Sequence, residues 1–315
     1  MKMTIIIPTR NNGDRVCATL RHLFHQTICT DHYEIVVVNN GSTDNTGEVL
    51  SGLQEHFVNL RCVTEHKLGR SHARNRGISE SRGEVVLFLD DDIEVEANHL
   101  ENHLAYHAQS VHPAAIIGQV VDFSPITPAW AEDYYIERQR AGTSGANVGL
   151  TGIRGGLQFA TGNVSVLRTS LETIRVEHNN ETLYFDPAFL FREDGDMGCR
   201  LLCAGVKFIA ATNIVCRHYH PRSWQSITDR SYDGGYALVR LTTKHPELRP
   251  ILKEYITSSR IINLALGAVC LGSFVPAYLV RSIWPQFLRK IIGGLVMYHT
   301  NRGFQHGLRD MPRTK

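Results

Sequence analysis

Gly83-Glu84-Val85-Val86-Leu87-Phe88-Leu89-Asp90-Asp91-Asp92-Ile93-Glu94 is the stretch on which the fold turns. Its short apolar run, β-branched at the start and bounded by a glycine, reads as a buried strand of a parallel sheet rather than a helix. Asp90, Asp91 and Asp92 then fall at the carboxyl end of that strand, the edge where open α/β sheets bind ligands. Three adjacent like charges are costly unless something positive lies among them. A hard divalent cation with a phosphate-bearing ligand is the natural candidate, and a solvated acidic turn is the plain alternative.

Working outward toward the N-terminus, the pattern predicts three more strands, over 4–8, 34–38 and 58–64. Each feeds a polar loop: Pro8 to Gly13, Asn39 to Asp44, and Gly69 to Gly77. Helices are expected over 15–26 and 46–54, the second capped by Ser42 or Thr43, with a short helix after Gly77. Strands alternating with helices at this spacing imply βαβ units and a mostly parallel sheet. Asn39, Asn40, Asp44, Arg74, Arg76 and the three aspartates should then converge on one edge, a mixture that suits a nucleoside diphosphate with a metal. No Walker glycine loop and no G-x-G-x-x-G follows the first strand, so neither a P-loop nor a dinucleotide site is supported.

The order of these motifs resembles the family 2 glycosyltransferases, which have the nucleotide-sugar-binding GT-A fold. The matching elements are Ile7-Pro8-Thr9-Arg10-Asn11, Val36-Val37-Val38-Asn39-Asn40-Gly41-Ser42-Thr43-Asp44, Ala73-Arg74-Asn75-x-Gly77 and Leu89-Asp90-Asp91-Asp92. The resemblance covers residues 4 to 230 and implies an α/β, Rossmann-like, mostly parallel sheet flanked by helices. The expected division is a catalytic domain over 1–245, with a nucleotide-binding half at 1–122 and an acceptor half at 123–245, and a helical C-terminal appendage over 246–315. By resemblance, Pro8, Thr9, Arg10, Asn39, Asn40 and Asp44 hold the nucleobase and ribose, and Arg74 approaches the diphosphate. The family more often carries an aspartate at one or both positions of the Asn39-Asn40 pair. Asp90 and Asp92 meet the D-x-D pattern, Asp90 near the ribose and Asp92 on Mg²⁺ or Mn²⁺, with Asp91 able to substitute for either.

Farther along, a helix is expected over 98–110 and a strand over 115–121. The aromatic and glycine-rich segment over 127–156 reads as a lid or acceptor wall, with Trp130 and Tyr134 as sugar-stacking candidates, or as a plain surface loop. Gly162-Asn163-Val164-Ser165 matches the family's G-N-x-S segment beside the donor sugar. Glu193-Asp194 matches its E-D segment at a helix start. An inverting transfer needs a carboxylate to take the acceptor hydroxyl's proton; the motif makes Asp194 that base, Glu193 its helper and Asp196 its nearest rival. After a strand over 207–215, the resemblance implies that His218, in preference to His220, completes the metal or diphosphate site, and that Trp224 lies on a loop that often closes over the donor in this family.

Seven cysteines without a C-x-x-C pair argue for reduced thiols in the cytosol and against zinc or a disulfide framework. Because Met1 to Thr4 run at once into Ile5-Ile6-Ile7, no secretory leader is expected. From Ile251 onward nine Lys and Arg face two acids, a surplus of about seven, so the first 250 residues carry about −5 of the net +2. Residues 261–280 carry no charge and lie between Arg260 and Arg281. A single crossing there would put the basic tail on the wrong side, so the expectation is an in-plane or re-entrant pair with 283–298 on the cytoplasmic face of a membrane, or a homodimer surface. The expected activity is therefore a metal-dependent, inverting transfer from a nucleotide-diphosphate sugar to a glycan or lipid-linked acceptor, with no nucleic-acid partner. The competing readings are a sugar-nucleotide pyrophosphorylase, which would want a lysine-bearing glycine loop after the first strand, and a non-catalytic nucleotide-sugar-binding scaffold at a membrane.

Overall fold

The computed structural model describes residues 1–122, 126–127, 153–219, 222–250 and, near the C-terminus, 300, 302–303 and 305–307. The chain divides into two compact units, Met1–Phe123 with Gly145–His220, and Ser124–Ser144 with Pro221–Lys315.

The first unit begins β1 (Met3–Thr9), α1 (Gly13–Phe24), β2 (Tyr33–Asn39), α2 (Thr46–His56), β3 (Leu60–Thr64), α3 (Arg70–Glu80) and β4 (Val85–Leu89). Side chains alternate across a strand, and both faces of these strands are apolar. Ile5, Ile7, Ile35, Val37, Leu87 and Leu89 pack with Val16, Leu20, Leu23 and Leu50 of α1 and α2. Ile6, Val86 and Phe88 pack with Ile78 of α3 and, beyond it, Phe159, Phe185, Met197 and Leu201. Each such fully buried side chain contributes about 1.5–3 kcal/mol of transfer free energy, so the two layers fix the register of the sheet. At Gly77 the helix comes so close to β1 that a Cβ would lie 2.4 Å from Ile6 Cγ2.

The chain continues with β5 (Ile93–Val95), α4 (His99–Gln109), β6 (Ala114–Asp122), β7 (Ile126–Thr127), α5 (Ile153–Gly156), β8 (Asn163–Leu167), α6 (Arg168–Glu172), β9 (Val176–His178), β10 (Glu181–Leu183), α7 (Glu193–Cys203) and β11 (Lys207–His218). Eight strands form one sheet in the order β3-β2-β1-β4-β8-β6-β11-β5. The pairs from β3 to β4 and the pair β6–β11 are parallel. β8 runs antiparallel between β4 and β6, and β5 runs antiparallel along β11.

Three expectations change. The segment over 69–77 is not a loop before a helix; α3 itself starts at Arg70, after Gly69 at φ 132°. Arg74 and Arg76 are therefore on different faces, and Arg76 turns outward to pair with Glu80 instead of joining the site. Neither Ser42 nor Thr43 caps α2, whose N-cap is Asn45; Asn11 engages both instead, its N–H donating to Ser42 Oγ and its Oδ1 accepting from the Thr43 N–H. β11 runs on past Val215 to end at His218.

In the second unit, β12 (Arg222–Ser223) pairs with β7 and leads into α8 (Trp224–Lys244), whose N-terminus is closed by a reciprocal box between Ser223 and Ser226. Glycines let the helix meet the residues near 300 closely: a Cβ on Gly235 would strike the Thr300 carbonyl, and one on Gly303 the Tyr232 carbonyl. Among the described residues no helix is long and apolar enough to cross a membrane. The uncharged stretch 261–280, its companion 283–298, and Trp130, Tyr134 and His220 lie outside the described residues.

Candidate active site

The acidic run leaves β4 and turns at once into β5, which lies along the end of β11 with His218 opposite Ile93. That register puts His218 Nε2 2.9 Å from Asp92 Oδ1, while the Tyr219 N–H donates to the Asp92 carbonyl at 2.9 Å. Asp90, Asp92 and His218 each offer a ligand atom, all within 4.8 Å of one another, with Asp92 and His218 enclosed and Asp90 more open. Two carboxylates and one imidazole are a donor set that suits Mn²⁺ or Mg²⁺. Gly162, across from this edge, leaves room for Asp90: a Cβ there would lie 3.1 Å from Asp90 Oδ2. Arg15, which no motif singled out, reaches to 3.9 Å from Asp92 Oδ2.

Asp91 points another way. Its Oδ2 accepts a 2.6 Å hydrogen bond from the Thr9 hydroxyl, and burial raises its pKa to about 6 against the opposing bonds from Thr9 and Asn12. It thus ties the β4 end to the first loop, apart from the cluster of Asp90, Asp92 and His218.

Arg74 joins the acidic edge to the start of α7. The guanidinium is 4% exposed, stands 3.6 Å from Asp90 Oδ1 and 2.8 Å from Glu193 Oε1, and sits over the Phe185 ring with 5.6 Å to its centroid. Glu193 is 119 residues away in sequence. Arg74 Nε is buried without a hydrogen-bond partner. Next to Glu193, Asp194 keeps part of its surface open, and the Gly195 N–H donates to its Oδ1 at 2.7 Å. Its pKa rises to about 6, first because of burial and second because of the Glu193 charge, with Arg74 pulling the other way. A carboxylate so tuned is ionised at neutral pH and more basic than an ordinary aspartate. Asp196, the rival, is fully buried and held by the Arg200 guanidinium at 3.0 Å, one turn on along α7.

The loops expected to hold the nucleoside are bound to each other. Asn40 Nδ2 donates to the Glu65 and Lys67 carbonyls, and its Oδ1 accepts from the Gly69 N–H, so its amide clamps the loop between β3 and α3. Asn39 Oδ1 accepts from the Ser42 N–H. Asp44, before the Asn45 cap, accepts from the Thr46 N–H, and the Thr46 bonds hold its carboxyl below the usual range. Pro8 is half-buried at the end of β1, and Arg10 is exposed beside it, open to a ligand. Asn163 is buried, donates to carbonyls inside the sheet and meets His103. Trp224 opens α8 in the second unit.

A sequence profile described as Glycosyl transferase family 2 matches residues 4–164. The uncharacterized glycosyltransferase YibD of Escherichia coli K12 is 38% identical over 94 residues, 30% of this chain and 27% of that protein. The poly(ribitol-phosphate) beta-N-acetylglucosaminyltransferase TarP of Staphylococcus aureus is 31% identical over 107 residues, 33% of this chain and 32% of that protein. In both, the matched stretch spans about a third or less of the relative. The mannosyltransferase PcManGT of Pyrobaculum calidifontis, solved with GDP-Man and Mn²⁺, superposes with a TM-score of 0.63 at 18% identity over 96% of this chain and 86% of that one. S. aureus TarS 1–349 with UDP-GlcNAc gives 0.56 at 17% identity over 98% and 92%. These two likenesses establish the GT-A fold.

Proposed function

The chain belongs to glycosyl transferase family 2, and from that membership we propose that it moves a sugar from a nucleotide-diphosphate donor to a hydroxyl of a glycan or lipid-linked acceptor, inverting the anomeric centre. The observation that carries this reading is the link through Arg74, whose one side chain touches the acid Asp90 and the helper Glu193 beside Asp194. In this reading, a leaving-group site and a base stand on the two sides of one buried cation.

In this reading Asp92, Asp90 and His218 would hold Mn²⁺ or Mg²⁺, which would supply positive charge for the departing diphosphate. Asp194 accepts the proton of the attacking hydroxyl as its oxygen bonds to the anomeric carbon. The bond from that carbon to the diphosphate oxygen breaks on the opposite face, and the nucleoside diphosphate leaves with the electron pair. Glu193 is fixed by Arg74 and helps to seat the acceptor or sugar. Arg10 and the β1 and β2 loops form the nucleoside side. The relatives' GDP-Man and UDP-GlcNAc complexes support a nucleotide-sugar donor. The work is assigned to the cytoplasmic face of a membrane, with the basic residues from 251 onward against anionic lipid, the alternative being an apolar homodimer surface on the C-terminal segment.

Thermal-shift screening with UDP-, GDP- and dTDP-sugars, with and without Mn²⁺, tests the reading, because a ligand bound only by the folded state raises its apparent stability. At least one donor should raise the transition temperature more with Mn²⁺ than without it. If none does, the reading is wrong.

A further inference from the structure

β11 does not run straight to the acidic edge. Its pairing with β6 jumps between Ala211, opposite Gly118, and Val215, opposite Gln119, so Thr212, Asn213 and Ile214 bulge out without partners on β6. Only the rungs from Val215 to His218 follow the bulge. Side chains alternate along a strand, so a slip of one residue there turns His218 away from Asp92. Whatever fills the bulge therefore sets where the imidazole arrives.

Asn163 fills it. The side chain is buried, and its Nδ2 donates to the carbonyls of Gln119 and Ile214, both at 3.3 Å, joining the first rung after the bulge to the last bulged residue. Gly118 leaves the space, since a Cβ there would lie 2.3 Å from Asn163 Nδ2. Asn163 Oδ1 faces His103 Nε2 at 3.0 Å, and His103 Nδ1 faces Ser165 Oγ at 2.9 Å. With the amide oxygen accepting, His103 donates from Nε2 and receives the Ser165 hydroxyl on Nδ1, a pattern that the neutral ring completes. Complete burial lowers the His103 pKa well below its usual value, consistent with that neutral form. An apolar residue could occupy the volume, but it would take the amide donor from the buried Ile214 carbonyl and leave the part-buried Gln119 carbonyl with only the weak Cys216 thiol donor among its side-chain partners. Through its backbone, Asn163 pairs with Leu89, the residue before Asp90.

We propose that Asn163, oriented by His103, is a positioning residue for the metal site: it plugs the β11 bulge, sets the register that brings His218 against Asp92, and braces the strand end that bears Asp90. The consequence for metal binding rests on the reading given under Proposed function; the register role rests on the pairing alone.

The test compares Asn163→Leu, His103→Phe and His103→Gln in the full chain, reading Mn²⁺ affinity by electron paramagnetic resonance without nucleotide and amide hydrogen exchange strand by strand. Asn163→Leu should weaken Mn²⁺ binding about 10–100-fold and speed exchange over 93–95 and 215–218, while β1 and β2 stay protected. His103→Phe should follow it, and His103→Gln, which keeps an N–H toward Asn163, should stay near the native values. A folded Asn163→Leu chain with native Mn²⁺ affinity and native exchange overturns the proposal. If that variant does not fold, equal affinity and exchange in the two His103 variants overturns it instead. If the native chain itself binds no Mn²⁺, the metal reading fails, and the exchange over 93–95 and 215–218 alone decides the register role.

Discussion

The two halves of the sheet place their functional groups in different ways. From β3 to β4 the strands are parallel, and each delivers its loop directly at its own carboxyl end. From β8 to β5 the strands are interleaved in sequence, with antiparallel pairs on either side of the parallel β6–β11 pair, and broken by the β11 bulge. The first half sets positions by local chain sequence. The second sets them by register, and so depends on packing between residues far apart in the chain.

The largest expected effect lies at the junction of the halves. Asp194→Asn should lower the transfer rate about 10²–10⁴-fold while nucleotide affinity stays near native, as measured by steady-state kinetics and titration calorimetry. The native rate should also fall as the pH drops below about 6, the value to which Asp194 is raised. The same raised pKa makes a stability statement. The folded state binds this proton more tightly than the unfolded state, so the associated stability is complete below the ordinary 3.8 and is lost as the pH rises through about 6. Asp194→Asn should therefore be the more stable chain at pH 7 by about 1–3 kcal/mol, with the difference fading in acid, a crossover that denaturant titration would reveal.

Arg74→Ala should be nearly as damaging, but to folding. It strands the buried Glu193 carboxylate and should cost about 3–5 kcal/mol in urea unfolding. A loss below about 1 kcal/mol would mean that the two halves are not coupled through this side chain.

Within the second half, His218→Ala should weaken Mn²⁺ binding about 10–100-fold with little change in thermal stability. In the first half, Asn40→Ala removes a clamp rather than a ligand, and should cost about 1–3 kcal/mol with a smaller change in nucleotide affinity. If nucleotide binding collapses without a loss of stability, Asn40 reads the base and the clamp is secondary. Arg76→Ala, on the outer face of α3, should change stability by less than about 0.5 kcal/mol and leave donor affinity intact.

How much could be read in advance follows the same division. Val85 to Leu89 and Asp90 to Asp92 announce a strand and its ligand edge because burial pattern and charge are adjacent in sequence. The pairing of Asp90 with Asp92 and the placement of His218 beside them emerged from motif order, and the structure brings those residues together. Asn39, Asn40 and Asn163 were legible as polar residues at the right edge, but their partners were not: which carbonyl an amide meets is decided by chain segments that sequence spacing does not bring together. Arg76 was misplaced because a Gly-Arg-Ser-His opening hides a helix start, and one turn of helix sends residues two apart to different faces.

By itself, the sequence determined the alternation of strand and helix, the buried identity of β1, β2 and β4, the acidic edge and the carboxylates at the start of α7. Hydrophobic periodicity and local charge are properties of neighbours along the chain. Only the tertiary structure decided that Arg74 is a buried bridge to Glu193, that Asp196 is taken up by Arg200, and that a three-residue bulge filled by Asn163 precedes His218. Those outcomes depend on register and on which buried polar groups find each other, and a buried group's partner is fixed by the whole fold rather than by its place in the sequence.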